Sequence, residues 1–187
     1  MAIQGDFEAH AKMLERMGVE YRLVKTKVDL EGLDGLILPG GESTTHLKVM
    51  KEEGLHDAIR DFASSGGAIF GTCAGAILLA REVKNPPQES LGLLDAVVLR
   101  NGYGRQVASE VRSGKTVLRD APLEMVFIRA PIFESLGKGV KVIAEDDGKP
   151  VCVQQGKILA ATFHPELTSD SSMHEYFVKL ARNGSSA

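Results

Sequence analysis

Cys73 sits in Gly71-Thr72-Cys73-Ala74-Gly75, between the apolar run Ala68-Ile69-Phe70 and a second one, Ala74-Gly75-Ala76-Ile77-Leu78-Leu79-Ala80. The pattern reads as strand, sharp turn, helix, with a thiol held out at the turn, which is the nucleophile-elbow arrangement with Cys in place of Ser. Glycine two residues to either side lets the backbone pass through a crowded bend. The following helix turns the positive end of its dipole toward the sulfur, the field that a thiolate nucleophile needs. Far downstream, directly after another apolar run, comes His164-Pro165-Glu166. A thiol, an imidazole and a carboxylate are the parts of a triad: nucleophile, proton shuttle, and a group that orients the shuttle. In an extended segment, His164 and Glu166 at i and i+2 project the same way, so Glu166 can bind one ring nitrogen while the other faces Cys73.

Such chemistry also needs donors for the oxyanion formed when a carbonyl is attacked. The backbone N–H of Ala74, just after the nucleophile, supplies one. Gly41, in Pro39-Gly40-Gly41-Glu42-Ser43, can supply the second, because a glycine pair lets a peptide turn inward with no Cβ in the way. Glu42-Ser43 also suits a helix start. His10, His46, His56 and His174 fall on helical stretches without metal-ligand spacing, and read as surface or core residues. Cys152, in the alternating Val151-Cys152-Val153, reads as structural.

The elements that must position these groups alternate along the chain. Phe7 to Met17 has helical periodicity, with Phe7, His10, Ala11, Leu14 and Met17 on one face and Gly18 as a stop. Ala2-Ile3-Gln4 reads as the stub of a strand, Val19 to Val24 as a strand, and Gly35 to Leu38 as a short buried one. A helical stretch runs from Ser43 to about Ser64, with a break at Gly54. After the elbow and its helix the texture becomes β-rich, with segments at 97–100, 106–111, 125–129, 140–145, 151–154 and 158–163. Asn85-Pro86-Pro87-Gln88 reads as a mobile surface loop, and Ser171 to Asn183 as a closing amphipathic helix. The expected fold class is α/β: a single domain, a mostly parallel central sheet with helices on both faces, and a small antiparallel β addition. In an open α/β sheet, sites form beyond the carboxyl ends of the strands, and the Gly41, Cys73 and His164 loops all follow strands.

The chain has 187 residues, a net charge of −3 and 43% hydrophobic residues. That is enough for one core, and it argues against a general polyanion binder, so no nucleic-acid partner is expected. No apolar window is long enough to span a membrane. Two cysteines without an export signal read as free thiols in a cytoplasmic protein.

Taken together, Pro39-Gly40-Gly41, the Cys73 elbow and His164-Pro165-Glu166 resemble class I glutamine amidotransferase domains. More narrowly, the chain resembles the glutaminase subunits of pyridoxal phosphate synthases. That likeness rests on Gln4-Gly5-Asp6-Phe7-Glu8-Ala9-His10, Gly41-Glu42-Ser43-Thr44-Thr45, Arg100-Asn101-Gly102-Tyr103-Gly104-Arg105-Gln106, Phe127-Ile128-Arg129-Ala130-Pro131 and Phe163-His164-Pro165-Glu166-Leu167.

The resemblance implies a flavodoxin-like fold and hydrolysis of L-glutamine to glutamate and ammonia. The ammonia would pass to a separate synthase subunit that builds the pyridoxal phosphate ring and activates its partner in a hetero-oligomeric complex. By motif position, Cys73 is the nucleophile, with His164 and Glu166 as its relay. Gly41, Glu42, Ser43, Arg100, Ile128 and Arg129 contact glutamine; a free amino acid's carboxylate suits a guanidinium. No cofactor or metal is implied. The family pattern has several more apolar residues before Ala2-Ile3-Gln4, so the first strand of the single domain, residues 1–187, is expected to begin partway in. Three alternatives remain open: the glutaminase subunit of another synthase, a γ-glutamyl hydrolase, and a thiol sensor without enzymatic activity.

Overall fold

The computed structural model describes residues 7–102 and 109–183. The expected strand stub at Ala2-Ile3-Gln4, the shortened first strand, and the 106–108 part of the expected 106–111 strand lie outside these residues.

The chain opens with α1 (Phe7–Arg16), which buries His10 and Met13. Its apolar positions recur every three to four residues, as a helix lying on a core requires. Next come β1 (Gly35–Leu38), α2 (Ser43–Glu52), α3 (Leu55–Ser64), β2 (Ala68–Thr72) and α4 (Ala74–Leu79). Gly54, at φ +66, separates α2 from α3 at the expected break. The β-rich portion comprises β3 (Ala80–Lys84), β4 (Leu94–Leu99), β5 (Ser109–Thr116), β6 (Leu123–Ile128), β7 (Ile132–Leu136), β8 (Lys141–Asp146), β9 (Lys149–Gln155) and β10 (Ile158–Ala161). A 3-10 turn over Pro165–Leu167 and α5 (Ser172–Arg182) complete the chain.

Seven strands form one sheet in the order β1-β2-β10-β9-β8-β5-β6, and β3-β4-β7 form a second. Pairing is parallel across β1, β2 and β10, then antiparallel from β10 through β9, β8 and β5 to β6. The α/β class is as expected. Among the described residues the antiparallel addition is larger than "small", because the two tight hairpins β8-β9 and β9-β10 and the longer-looped β5-β6 hairpin keep extending the sheet where helices no longer intervene.

Strand β2 is buried along its whole length, as a central strand covered on both faces must be. Ile69 points into a cluster with Leu36, Leu38, Met50, Ile59 and Leu78. Its neighbour Phe70 points into a cluster on the opposite face with Phe127, Cys152, Phe163, Met173 and Phe177. The sheet thus has one core against α2–α4 and another against α5.

Val19 to Val24 carries a strand pattern but forms no strand. The segment has no regular secondary structure and lines a cavity of about 670 Å³, together with residues of α1, β1 and α5. A strand is defined by its ladder, and β2 is the only ladder partner of β1 among the described residues. Two strands were not apparent in the sequence: β3, which takes over from α4 at Ala80, and β7.

Candidate active site

Cys73 joins β2 to α4 with φ +47 and ψ −101, a conformation a side-chain-bearing residue rarely holds. Two close approaches fix the elbow. A Cβ on Gly75 would lie 2.0 Å from the carbonyl oxygen of Leu38, and one on Gly71 would lie 2.6 Å from the backbone of Gly75. Only glycine lets the helix come this close to β1 and β2. Ala74 opens α4, so its N–H belongs to the first turn, where no intrahelical acceptor exists.

The neighbouring parallel strand β10 carries the histidine loop. Thr72 pairs with Ala161, and the Cys73 N–H donates to the Ala161 carbonyl at 2.8 Å. His164 therefore leaves the end of β10 beside the end of β2. Its own N–H donates to the Val126 carbonyl at 2.8 Å, which locks the loop to β6. His164 Nδ1 lies 2.8 Å from Glu166 Oε1, with both side chains almost wholly buried. The pairing expected of these residues is present, but the backbone between them is a 3-10 turn rather than extended, with proline at its first position. Two residues further along β6, Ile128 presents its carbonyl to the Cys73 thiol, which donates to it at 3.8 Å. Arg129 follows at φ +45 and is exposed.

The third loop follows β1. Gly41 has φ +132, which again demands glycine. Glu42 is the N-cap of α2, and its carboxylate accepts from the backbone N–H groups of Thr44 and Thr45 and from both threonine hydroxyls. Partial burial opposes ionisation, but these bonds outweigh it and pull the Glu42 carboxyl down to about 2. Arg100, just after β4, donates to Glu42 at 3.2 Å. Ser43 is buried and donates to Gln88 Oε1 at 2.8 Å, which ties the 85–88 turn to the start of α2.

The expected residues thus form linked groups: Cys73 with Ile128, His164 with Glu166, and Glu42 with Arg100. Sequence reasoning passed over two others. Gln88 pins Ser43, and His10 lies 3.1 Å from Thr72 Oγ1 and 3.5 Å from Glu166 Oε2. The signals available for His10 were its place on the apolar face of α1 and its position closing the Gln4–His10 stretch. Among the described residues, no cluster of three or more His, Cys, Asp or Glu could hold a metal ion, and no helix is long and apolar enough to cross a membrane.

A pyridoxal 5'-phosphate synthase subunit PdxT from Koribacter versatilis is 50% identical over 186 residues, covering 100% of this chain and 96% of the relative. One from Kosmotoga olearia is 52% identical over 181 residues, covering 96% and 94%. A crystal structure of a glutamine amidotransferase superposes with a TM-score of 0.91 at 49% identity, covering 97% of this chain and 96% of that one. A glutamine amidotransferase from Thermotoga maritima shares the fold, with a TM-score of 0.60 at 16% identity, covering 94% and 75%. The family model described as the SNO glutamine amidotransferase family matches residues 1–183. The chain belongs to the SNO glutamine amidotransferase family.

Proposed function

We propose that this chain is the glutaminase subunit of a pyridoxal 5'-phosphate synthase, hydrolysing L-glutamine and delivering ammonia to a separate synthase subunit in the cytoplasm. The observation that carries this reading is the buried His164–Glu166 pair at 2.8 Å, one strand over from a cysteine elbow, in a chain of this family.

The reaction follows from the groups present. Cys73 Sγ, its proton passed to His164, attacks the γ-carboxamide carbon of glutamine. The resulting oxyanion takes hydrogen bonds from the N–H groups of Ala74 and Gly41, each such donor being worth roughly 3–4 kcal/mol. His164 gives its proton to the leaving nitrogen, and ammonia departs from a γ-glutamyl thioester. Water then gives a proton to His164 and attacks the thioester, and the sulfur leaves with that proton as glutamate is released. Glu166 keeps the imidazole in one orientation and stabilises it while it is charged. Arg100 and Arg129 supply cations for the substrate's α-carboxylate, and Glu42 offers an anion to its ammonium. Glu42, Ser43 and Ile128 complete the lining of the glutamine site.

The test is glutamate release from L-glutamine, with and without the matching synthase subunit. Wild type should turn over glutamine and rise strongly with the partner, and Cys73→Ala should lose activity under both conditions. Equal turnover without the partner would refute activation. Preference for poly-γ-glutamyl substrates over free glutamine would refute the glutaminase assignment in favour of a hydrolase.

A further inference from the structure

Behind the His164–Glu166 pair lies a second pair of imidazoles that the reaction scheme leaves unused. His10 from α1 and His174 from α5 are both buried, with His10 Nδ1 2.9 Å from His174 Nε2. The other ring nitrogen of His10 faces Thr72 Oγ1 at 3.1 Å and Glu166 Oε2 at 3.5 Å. His174 Nδ1 is buried and has no hydrogen-bond partner among the described residues.

These contacts select one arrangement of protons. Burial, and then the neighbouring His174, holds His10 well below its ordinary value; burial and then Arg16 bring His174 down to about 4. Each ring is therefore neutral at pH 7 and carries one N–H. Suppose His10 bore its proton on Nδ1 and donated to His174 Nε2. His174 would then carry its own proton on Nδ1, a buried donor with no acceptor, and the His10 lone pair would face the Glu166 carboxylate. The opposite arrangement removes both faults. His174 Nε2–H donates to His10 Nδ1, and His10 Nε2–H donates to Thr72 Oγ1 at 3.1 Å, which leaves the positive edge of the ring 3.5 Å from Glu166 Oε2 without a hydrogen bond to it. The atom of the two rings left unpaired is then a bare acceptor, which a protein interior tolerates better than a bare N–H.

We infer that His10 is a positioning residue for the triad carboxylate: held in one tautomer by His174, it turns the N–H edge of its ring toward Glu166 Oε2 at 3.5 Å while His164 holds Oε1. Thr72, the residue before the nucleophile, anchors the same ring. The inference rests on the glutaminase reading of the site. Glu166 is thereby hydrogen-bonded by His164 at Oε1 and faced by the positive edge of the His10 ring at Oε2, an electrostatic contact that favours one orientation of the carboxylate and of the imidazole it holds.

The experiment pairs kinetics with a spectroscopic reading. Glutamine hydrolysis is measured in the complex with the synthase subunit for wild type, His10→Leu and His10→Gln. His10→Leu should lower kcat by about ten- to a hundredfold, the range that misplacing a catalytic group costs, with KM for glutamine changed less than about twofold. His10→Gln, whose side-chain amide reaches the Nε2 position, should recover most of the loss. Wild-type kcat in folded His10→Leu, or no recovery in His10→Gln, would overturn the inference. An inactive wild-type complex would instead overturn the glutaminase reading. Separately, nitrogen-15 NMR of the wild-type chain labelled at histidine should show the Nε2–H tautomer for both His10 and His174 near pH 7. An Nδ1–H signal from His10 would overturn the inference whatever the variants do.

Discussion

At Cys73 the backbone holds a left-handed φ in a residue with a side chain, which a protein maintains only where its surroundings over-determine it. Here the surroundings are Gly71 and Gly75. In Gly75→Ala the new methyl would meet the Leu38 carbonyl, a backbone atom that cannot swing aside. The expected cost is about 1–3 kcal/mol or more, and a chain of this length loses about 2–4 °C of melting temperature per kcal/mol. Gly92, at φ +65 but with open space around it, is the comparison: thermal unfolding should show Gly92→Ala as the milder change. In the proposed relay, Glu166→Gln keeps the shape and removes the charge that steadies the imidazolium. It should lower kcat by about two to four orders of magnitude while KM barely moves, read from steady-state hydrolysis in the complex. The Cys73 elbow and the pairing of His164 with Glu166 were legible in the sequence, because the elbow restricts its neighbours to glycine and a histidine and a carboxylate two residues apart after an apolar run lie within reach of each other. His10 was not, since a histidine on the apolar face of an amphipathic helix is indistinguishable from a filler. It acquires a role only when folding brings α1 against α5 and the β10 loop.

That meeting of α1 and α5 also makes stability depend on pH. In the unfolded chain, His10 and His174 take up protons near the ordinary histidine value of about 6.5. In the folded chain both are held lower, His174 at about 4. Their contribution is therefore complete above pH 6.5 and drains away as pH falls toward 4, because there the unfolded state binds protons that the folded state refuses. Each ring contributes a slope of up to about 1.4 kcal/mol per pH unit. Urea unfolding midpoints should fall between pH 7 and pH 5, and His174→Gln should flatten that decline; an unchanged slope in the variant would exclude His174 as its source. Glu42 behaves differently. Its folded value near 2 keeps the α2 cap ionised throughout this window, and the cap is lost only as pH drops from its ordinary value toward 2. The helices were the readable elements: α1, the α2–α3 break at Gly54 and α5 fall within about a residue or two of their periodic patterns, because helical hydrogen bonds close locally. Val19 to Val24 and β3 were misjudged because strand formation depends on what lies alongside, which a linear pattern does not record.

On the scale of the whole molecule, the sheet divides the work. Its parallel strands β1, β2 and β10 bring the glycine, cysteine and histidine loops to one rim, and the antiparallel run through to β6 returns Ile128 to the same place. Alternation of strands and helices announced the class. The order β1-β2-β10-β9-β8-β5-β6 could not be read, since hairpin register and the choice of sheet edge are settled by packing between segments far apart in the chain. The same packing sets apart the two sulfurs. Cys152 is 0% exposed between the faces of the sheet, where burial drives its thiol far above the usual range, whereas Cys73 is 7% exposed at the rim. A small alkylating reagent such as iodoacetamide should therefore add once to the native chain and twice after denaturation, as counted by intact mass. Two adducts on native protein would mean that the sheet interior opens. With one, the adduct counts the chains that present the Cys73 elbow at the rim, so a preparation can be standardised by its folded, labelled fraction without substituting either cysteine.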